Sequence, residues 1–484
     1  VTPPAVDTPL FRLGAAELSR RYASGTTSPV DVAQSVLARI QALEPALAAL
    51  WGLDADAALS QARASAGRWA RGQPLSPLDG VPLTLKENIA TAGLALPLGC
   101  AATALFPARV DAPPAARLRE AGAVLLAKTT MPDWGMLTSG LSSFHRLTRN
   151  PWNLARNPGG SSAGAAAAAA AGYGPLHLGT DIGGSIRLPA NWCGVVGFKP
   201  SGGRVPIQPP YVGRVAGPLT GSVEDTAWMM AVLARPDARD TTSLPPATLD
   251  WHAATTLPAE GPRAACRGLK VGLWLDPGWG LDAQPAPLAA ARAAAETLAA
   301  HGADVRAVPA FATREMADGL NLFWRMRSWL ELEALAPPQR ARVLPYIRDW
   351  VAAAAHFSGA QVFHGYSQIA ALREAAVAAS LPFDIVLSPV CPVSAPPADW
   401  ASPTNDPLRA MEHIAFTVPF NMSEQPALSL PWTFDDDGMP VGVQITGRRH
   451  DDLAVLRVAS ALEALRGPLA QMPNLLVLKY SATE

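Results

Sequence analysis

Two stretches of the sequence combine glycine and serine as a reactive turn would: Gly159-Gly160-Ser161-Ser162 and Gly183-Gly184-Ser185. Between them runs an alanine-rich segment, Ala165 to Ala171, ending at Gly172. Alanine is the best helix former and glycine a natural stop, so the first cluster is predicted at a helix N-terminus, among free N–H groups and partial positive charge. The second cluster follows a short predicted strand, Leu176 to Thr180. Glycine lets the backbone turn sharply and approach a ligand closely. The consecutive N–H groups of Ile182, Gly183, Gly184 and Ser185 can therefore converge on one point, as needed to stabilise the oxyanion of a tetrahedral acyl intermediate.

Three chemistries compete for these corners. Phosphate binding suits glycine beside a helix start, but "GGSSAG" lacks the lysine of a phosphate-binding loop. Gly160 to Gly164 matches G-x-S-x-G, yet that elbow needs a buried strand just before the serine, and "WNLARNPGG" is polar and turn-like. The eight histidines are scattered, and His177 reads as a packed strand residue. The third chemistry uses lysine in place of histidine. A serine nucleophile needs a base, and lysine serves when burial lowers its pKa enough to leave it neutral. Lys86 lies in "GVPLTLKENIA", where Val81, Leu83 and Leu85 alternate as in a strand, so its stem at least is expected to be buried.

The elements that must position these residues alternate along the chain. "SPVDVAQSVLARIQAL" opens with Ser28-Pro29, a cap and first-turn proline, and continues at helical spacing. "ADAALSQARASAGRWARG" reads as a second helix. "APPAARLREAGAVLLAKT" reads as a helix, a stop at Gly122 and a buried strand from Val124. Further on, "GLKVGLWLD", "FDIVLSPV" and "MPVGVQITG" read as strands, with helices at "PLAAARAAAETLAAHGADV" and "DDLAVLRVASALEAL". Strands separated by helices predict an α/β fold with a large mixed, mainly parallel sheet flanked on both faces. Residues 313–380, with Trp324, Trp329 and Trp350, read as a helical cap or insertion, and the proline-rich stretches 206–212 and 389–403 as loops. One domain over residues 1–484 is expected.

Composition narrows the partners. The chain has 484 residues, 49% apolar and 16% charged, and a net charge of −1, which points to a globular protein. No basic block or acidic tail suggests nucleic acid or an anionic membrane. No run of eighteen apolar residues suggests a transmembrane helix. Cys100, Cys193, Cys266 and Cys391 lie far apart with no CxxC pair, so a disulfide framework or zinc site is not expected. The first ten residues show no basic region followed by an apolar stretch, and a cytoplasmic protein is expected.

With these residues in place, the chain resembles the amidase signature family. The resemblance is carried by "LDGVPLTLKENIAT", "GAVLLAKTTMPDWG", "TRNPWNLARNPGGSSAGAAAAAAAG", "LGTDIGGSIRLPANWCGVVGFKPSGGRVP", "GPLTGSVEDTA", "FDIVLSPV" and "FTVPFNMSEQPALSLP", followed by "GMPVGVQITG". These cover nearly the whole chain in order, with a signature core at about 75–235. Ala163 stands where the family commonly has glycine, and "FKPSGGR" replaces a more usual LKPT-type run. Neither departure touches a reacting group.

The resemblance implies a Ser-Ser-Lys triad: Ser185 as nucleophile, Ser161 as bridging serine behind a cis peptide, and Lys86 as base. The family's spacing of 24 residues between the serines is met by Ser161 and Ser185. It also implies an oxyanion hole from the N–H groups of Ile182, Gly183, Gly184 and Ser185, with Ser162 as a helix cap or supporting residue, and Asp181 and Arg187 bracing the loop. Gly135 and Thr180 are candidate substrate contacts. The implied activity is hydrolysis of linear amides without metal or cofactor, on apolar aryl or fatty amides, with anilides, esters or carbamates in reach. The expected partner is a small-molecule amide, met by a monomer or homodimer. Two other roles are compatible with the resemblance: the amidase subunit of a tRNA-dependent amidotransferase, and a non-catalytic binding protein on the same fold.

Overall fold

The structure is a computed structural model that describes residues 8–469. Seven of the first ten residues, on which the reading of the N-terminus rests, lie outside that range. The sheet has eleven strands: β1 (Leu50–Trp51), β2 (Pro82–Lys86), β3 (Val124–Thr129), β4 (Leu176–Asp181), β5 (Val196–Lys199), β6 (Val215–Thr220), β7 (Lys270–Trp274), β8 (Asp304–Val308), β9 (Ile385–Pro389), β10 (Ala427–Phe434) and β11 (Pro440–Gly447). Their order across the sheet is β1-β3-β2-β4-β6-β5-β10-β11-β9-β7-β8.

The sheet is mixed, as expected, but it is not mainly parallel. Parallel pairing is confined to β3-β2-β4 on one side and β9-β7-β8 on the other. Every pair from β4 across to β9 is antiparallel, as is the edge pair β1-β3. The cause is local. β10 and β11 are joined by the turn at residues 435–439, closed by Asp435 N–H to Met439 C=O at 2.9 Å, and a short turn can only pair its strands antiparallel. β10 also carries Pro431, which in sequence argues against an interior strand. The register of β10 shifts between Pro431 and Thr433, where the ladder accommodates it.

Helix ends follow the local chemistry. Ser28 caps the helix Pro29–Leu47 through a reciprocal pair with Asp31. Gly122 and Gly302, at φ +81° and +99°, stop the helices before β3 and β8. The alanine helix, Ala163–Ala171, is buried along its whole length and packs on β2, β3 and β4. Small residues allow that approach: a Cβ on Gly164 would lie 2.2 Å from Ala49 O, and one on Gly179 would lie 2.7 Å from Ser162 Oγ.

Residues from Arg314 to Ser380 are helical, chiefly Arg314–Glu333, Pro345–Val351 and Gly359–Ser380. Trp324 and Trp350 are buried there in an apolar cluster that also includes Leu188 and Trp192, from the helix just after the second glycine-serine corner. The cap is thus packed directly on the elements that carry the site. All four cysteines are buried and unpaired. Among the described residues no helix is long and apolar enough to cross a membrane.

Candidate active site

Lys86 ends β2, a strand buried at every position between β3 and β4. Its side chain is fully buried. Removing an ammonium from water is costly unless it is paired or gives up its proton. Its hydrogen bonds go to hydroxyls: Nζ lies 2.7 Å from Ser161 Oγ and 3.1 Å from Ser162 Oγ. Burial, reinforced by the positive charge of Arg214 and opposed by Asp181 and Glu87, lowers the pKa to about 7. A large share of the amine is therefore neutral near pH 7, with a lone pair to accept a proton.

Both neighbouring serines are held at the start of the alanine helix, and the Gly160–Ser161 peptide is cis. Of the two roles expected for Ser162, helix cap or supporting residue, its contacts agree with the second, since its side chain caps nothing. Its Oγ donates to Thr180 C=O at 3.1 Å and accepts from Thr180 N–H at 3.3 Å. A serine hydroxyl has one hydrogen. With that hydrogen on Thr180, Ser162 can only accept from Lys86, so a Lys86 N–H points to Ser162 and the lone pair is free to face Ser161. We expect Ser162→Ala to lower kcat about tenfold to a hundredfold while serine-directed probes still label the protein. The loss of an acceptor for the charged amine should move the acidic limb of the pH-rate profile to lower pH.

The second corner is built around a buried ion pair. Asp181, the last residue of β4, lies 3.0 Å from Arg187 and accepts from the Ile186 N–H and from Asn421 Nδ2. Burial alone would raise its pKa, but the Arg187 charge and these hydrogen bonds outweigh it and hold the carboxyl well below its usual range. Arg187 is satisfied in turn by Thr417 C=O, Gln444 Oε1 and Asn421 Oδ1. Asp181 and Arg187 brace the loop, as the resemblance implies.

One of the four expected oxyanion donors is already used. The Gly184 N–H donates to Asp181 Oδ1 at 2.7 Å, and Gly184 is absent from the cavity wall. Ile182, Gly183 and Ser185 do line the cavity, so the candidate donors on the turn reduce to their three N–H groups. The Ser185 C=O accepts from the Ser162 N–H at 3.1 Å, tying the two corners together. The Ser185 hydroxyl is not hydrogen-bonded to Ser161, although both residues line the same cavity.

That cavity encloses about 960 Å³. Its walls are mostly apolar, with Leu98, Met131, Trp134, Leu137, Trp324, Trp350 and Ile414. Gly135 and Thr180 also line it. Gly135 has φ +72°, and a Cβ there would lie 3.2 Å from Ser161 Oγ. Trp134, Trp324 and Trp350 line the cavity, while Trp329 packs in the cap cluster without reaching it. The loop at 206–214 contributes Gln208, Pro209, Pro210, Tyr211 and Arg214.

His413, Asn421 and Arg214 do not stand out in the sequence. His413 lines the cavity, but its Nε2 is tied to Thr138 Oγ1 at 2.7 Å, and burial lowers its pKa to about 3. Among the described residues no imidazole hydrogen-bonds to Ser161, Ser162 or Ser185; the titratable side chain that does bond to Ser161 and Ser162 is Lys86. His177 is a packed strand residue, bonded to Thr84 and the Gly174 carbonyl.

The fold that carries this lysine and the paired serines is shared with known proteins. Residues 31–456 match the Amidase family model, and the chain belongs to the amidase signature family of C–N hydrolases. Among its relatives is the A subunit of glutamyl-tRNA(Gln) amidotransferase from Chloroflexus aggregans, 34% identical over 491 residues, covering 94% of this chain and 96% of that protein. Among solved structures, a bacterial aryl acylamidase superposes with a TM-score of 0.85 at 29% identity, covering 97% of this chain and 99% of that one. A 6-aminohexanoate cyclic dimer hydrolase, solved with its substrate, gives 0.84 at 27% identity, covering 97% and 100%.

Proposed function

We propose that the protein hydrolyses the C–N bond of small-molecule amides through an acyl-enzyme on Ser185, with Ser161 as relay and Lys86 as base. The observation that carries this reading is the 2.7 Å contact between a fully buried lysine and a serine on the wall of an apolar cavity.

Neutral Lys86 accepts the Ser161 hydroxyl proton as Ser161 accepts that of Ser185. This transfer requires the Ser185 side chain to turn, among its staggered positions, until its hydroxyl is within hydrogen-bond reach of Ser161. Ser185 Oγ attacks the carbonyl carbon, and the oxyanion is met by the Ile182, Gly183 and Ser185 N–H groups. The relay then delivers a proton to the amide nitrogen as the C–N bond breaks and the amine leaves. Water repeats the sequence on the Ser185 ester, releasing the carboxylic acid and regenerating the serine. No step calls for a metal or cofactor.

The apolar walls favour an aryl or alkyl body on the substrate, in line with the likeness to an aryl acylamidase. The second reading, membership of an amidotransferase complex, is supported by the similarity to the glutamyl-tRNA(Gln) amidotransferase chain. A panel of anilides, alkyl amides, peptide amides, carbamates and glutamine, assayed with the isolated chain, separates the two. We expect anilides or alkyl amides to be hydrolysed at least a hundredfold faster than glutamine. Glutaminase activity that appears only with partner subunits and tRNA would overturn the proposal.

A further inference from the structure

One wall of the cavity carries a charge that takes no direct part in the proposed proton transfers. Arg214 ends the loop at 206–214, immediately before β6. Val215 pairs with Asp181 and Ala216 with Thr180, so the same register carried one residue further sets Arg214 beside Ile182 on the serine turn. The loop is held in place by Asn421, whose Nδ2 donates to Gly213 C=O at 3.0 Å and to Asp181 Oδ1 at 2.8 Å.

Arg214 lines the cavity together with Ser161 and Ser185. Its guanidinium makes one hydrogen bond, Nη1 to Pro209 C=O at 3.2 Å, and forms no ion pair among the described residues. A second guanidinium, Arg327 of the cap helix Arg314–Glu333, lines the same cavity. Its Cζ stands 4.3 Å from the Tyr211 ring centroid, and it pairs with Glu331 at 3.4 Å.

The other charges facing this wall cancel. Asp181 is matched by Arg187 and Glu331 by Arg327, while Lys86 is bonded to two serines. Arg214 remains uncompensated. Burial and repulsion from Arg327 pull its pKa down only to about 10, so it stays charged at neutral pH. A guanidinium offers five N–H donors in a planar fork that matches a carboxylate, and Arg214 spends one of them on the protein.

We infer that Arg214, with Arg327 beside it, recognises a carboxylate on the substrate, so that the amide taken by this site carries a negative charge on its acyl or its amine portion. The inference rests on the reading of the cavity as the substrate site and names the substrate class within it.

The test is binding to Ser185→Ala, measured by calorimetry with three compounds. Pentananilide is neutral, glutaric acid monoanilide carries a carboxylate on the acyl end, and 4-(pentanoylamino)benzoate carries one on the amine end. We expect one of the two carboxylates to bind about tenfold to a hundredfold tighter than pentananilide. That arm identifies which portion of the substrate faces Arg214. Adding Arg214→Gln should remove the advantage, and Arg214→Lys should restore part of it. No preference for either carboxylate, a preference that survives Arg214→Gln, or no binding by any of the three overturns the inference. None of these results depends on turnover, so the amidase proposal stands or falls separately, on hydrolysis and serine labelling by the unaltered chain.

Discussion

Ser185→Ala is expected to remove amide hydrolysis almost completely, by about five to six orders of magnitude in kcat, the scale on which serine hydrolases lose rate without their nucleophile. The substitution deletes one oxygen and little else. The Ser185 side chain is only half-buried, and its hydroxyl makes no hydrogen bond to Ser161. The contact that fixes this residue is its carbonyl, bonded to the Ser162 N–H, and alanine keeps it. The loop below is held by Asp181 and Arg187, which the change does not touch. The fold and the KM should therefore survive while kcat does not. A fluorophosphonate should add once to the unaltered protein, at Ser185, and not at all to the variant. Activity within tenfold of the parent, or an adduct at Ser161, would show that the nucleophile has been misplaced.

The site was more legible in the sequence than the sheet that carries it, for physical reasons. Catalytic turns need particular residue types, so Gly183-Gly184-Ser185 and Gly160-Ser161 stand out as letters. Lys86 is visible because charge is rare inside an alternating apolar strand, and the structure buries it completely. Strand pairing is set instead by contacts between distant segments. β5 has only four residues, and β6 and β10 carry Pro218 and Pro431, which locally argue against strands. Tertiary pairing overrides that preference, and with it the mainly parallel arrangement expected from alternating helices and strands. The true role of the Gly184 N–H is illegible for a similar reason. Any glycine turn can present consecutive N–H groups, and only the position of the Asp181 carboxylate shows that one of them is taken. Ser162 and Arg214 were hidden because serine at a helix start and arginine in a loop are common. Their meaning comes from what they face.

The second large effect is expected at Lys86, and its pH dependence separates chemistry from stability. A lysine acting as base must be neutral to accept a proton, and the Lys86 pKa is lowered from 10.5 to about 7. The rate should therefore fall about tenfold per pH unit below 7 and level off above it. Two other buried lysines have the same lowered value, Lys128 and Lys199, both through burial. Neither reaches the serines: Lys128 bonds to Thr91 Oγ1 at 2.7 Å and Lys199 to Pro200 C=O at 3.0 Å. These three amines also link stability to pH, but in a different window. Between about 7 and 10.5 the unfolded chain binds more protons than the folded one at each of them. Their contribution makes stability rise with pH there and go flat below 7, where both states are protonated. A limb centred near 7 with a constant melting temperature beneath it therefore reports the base and not unfolding. Lys86→Ala should cost about three to four orders of magnitude in kcat, remove the limb, and leave a residual rate that climbs with hydroxide at high pH. Lys86→Met, which keeps most of the side-chain volume, should give the same profile and so exclude a collapse of the site as the cause. A limb near pH 7 that persists in both variants would mean that another group supplies the base.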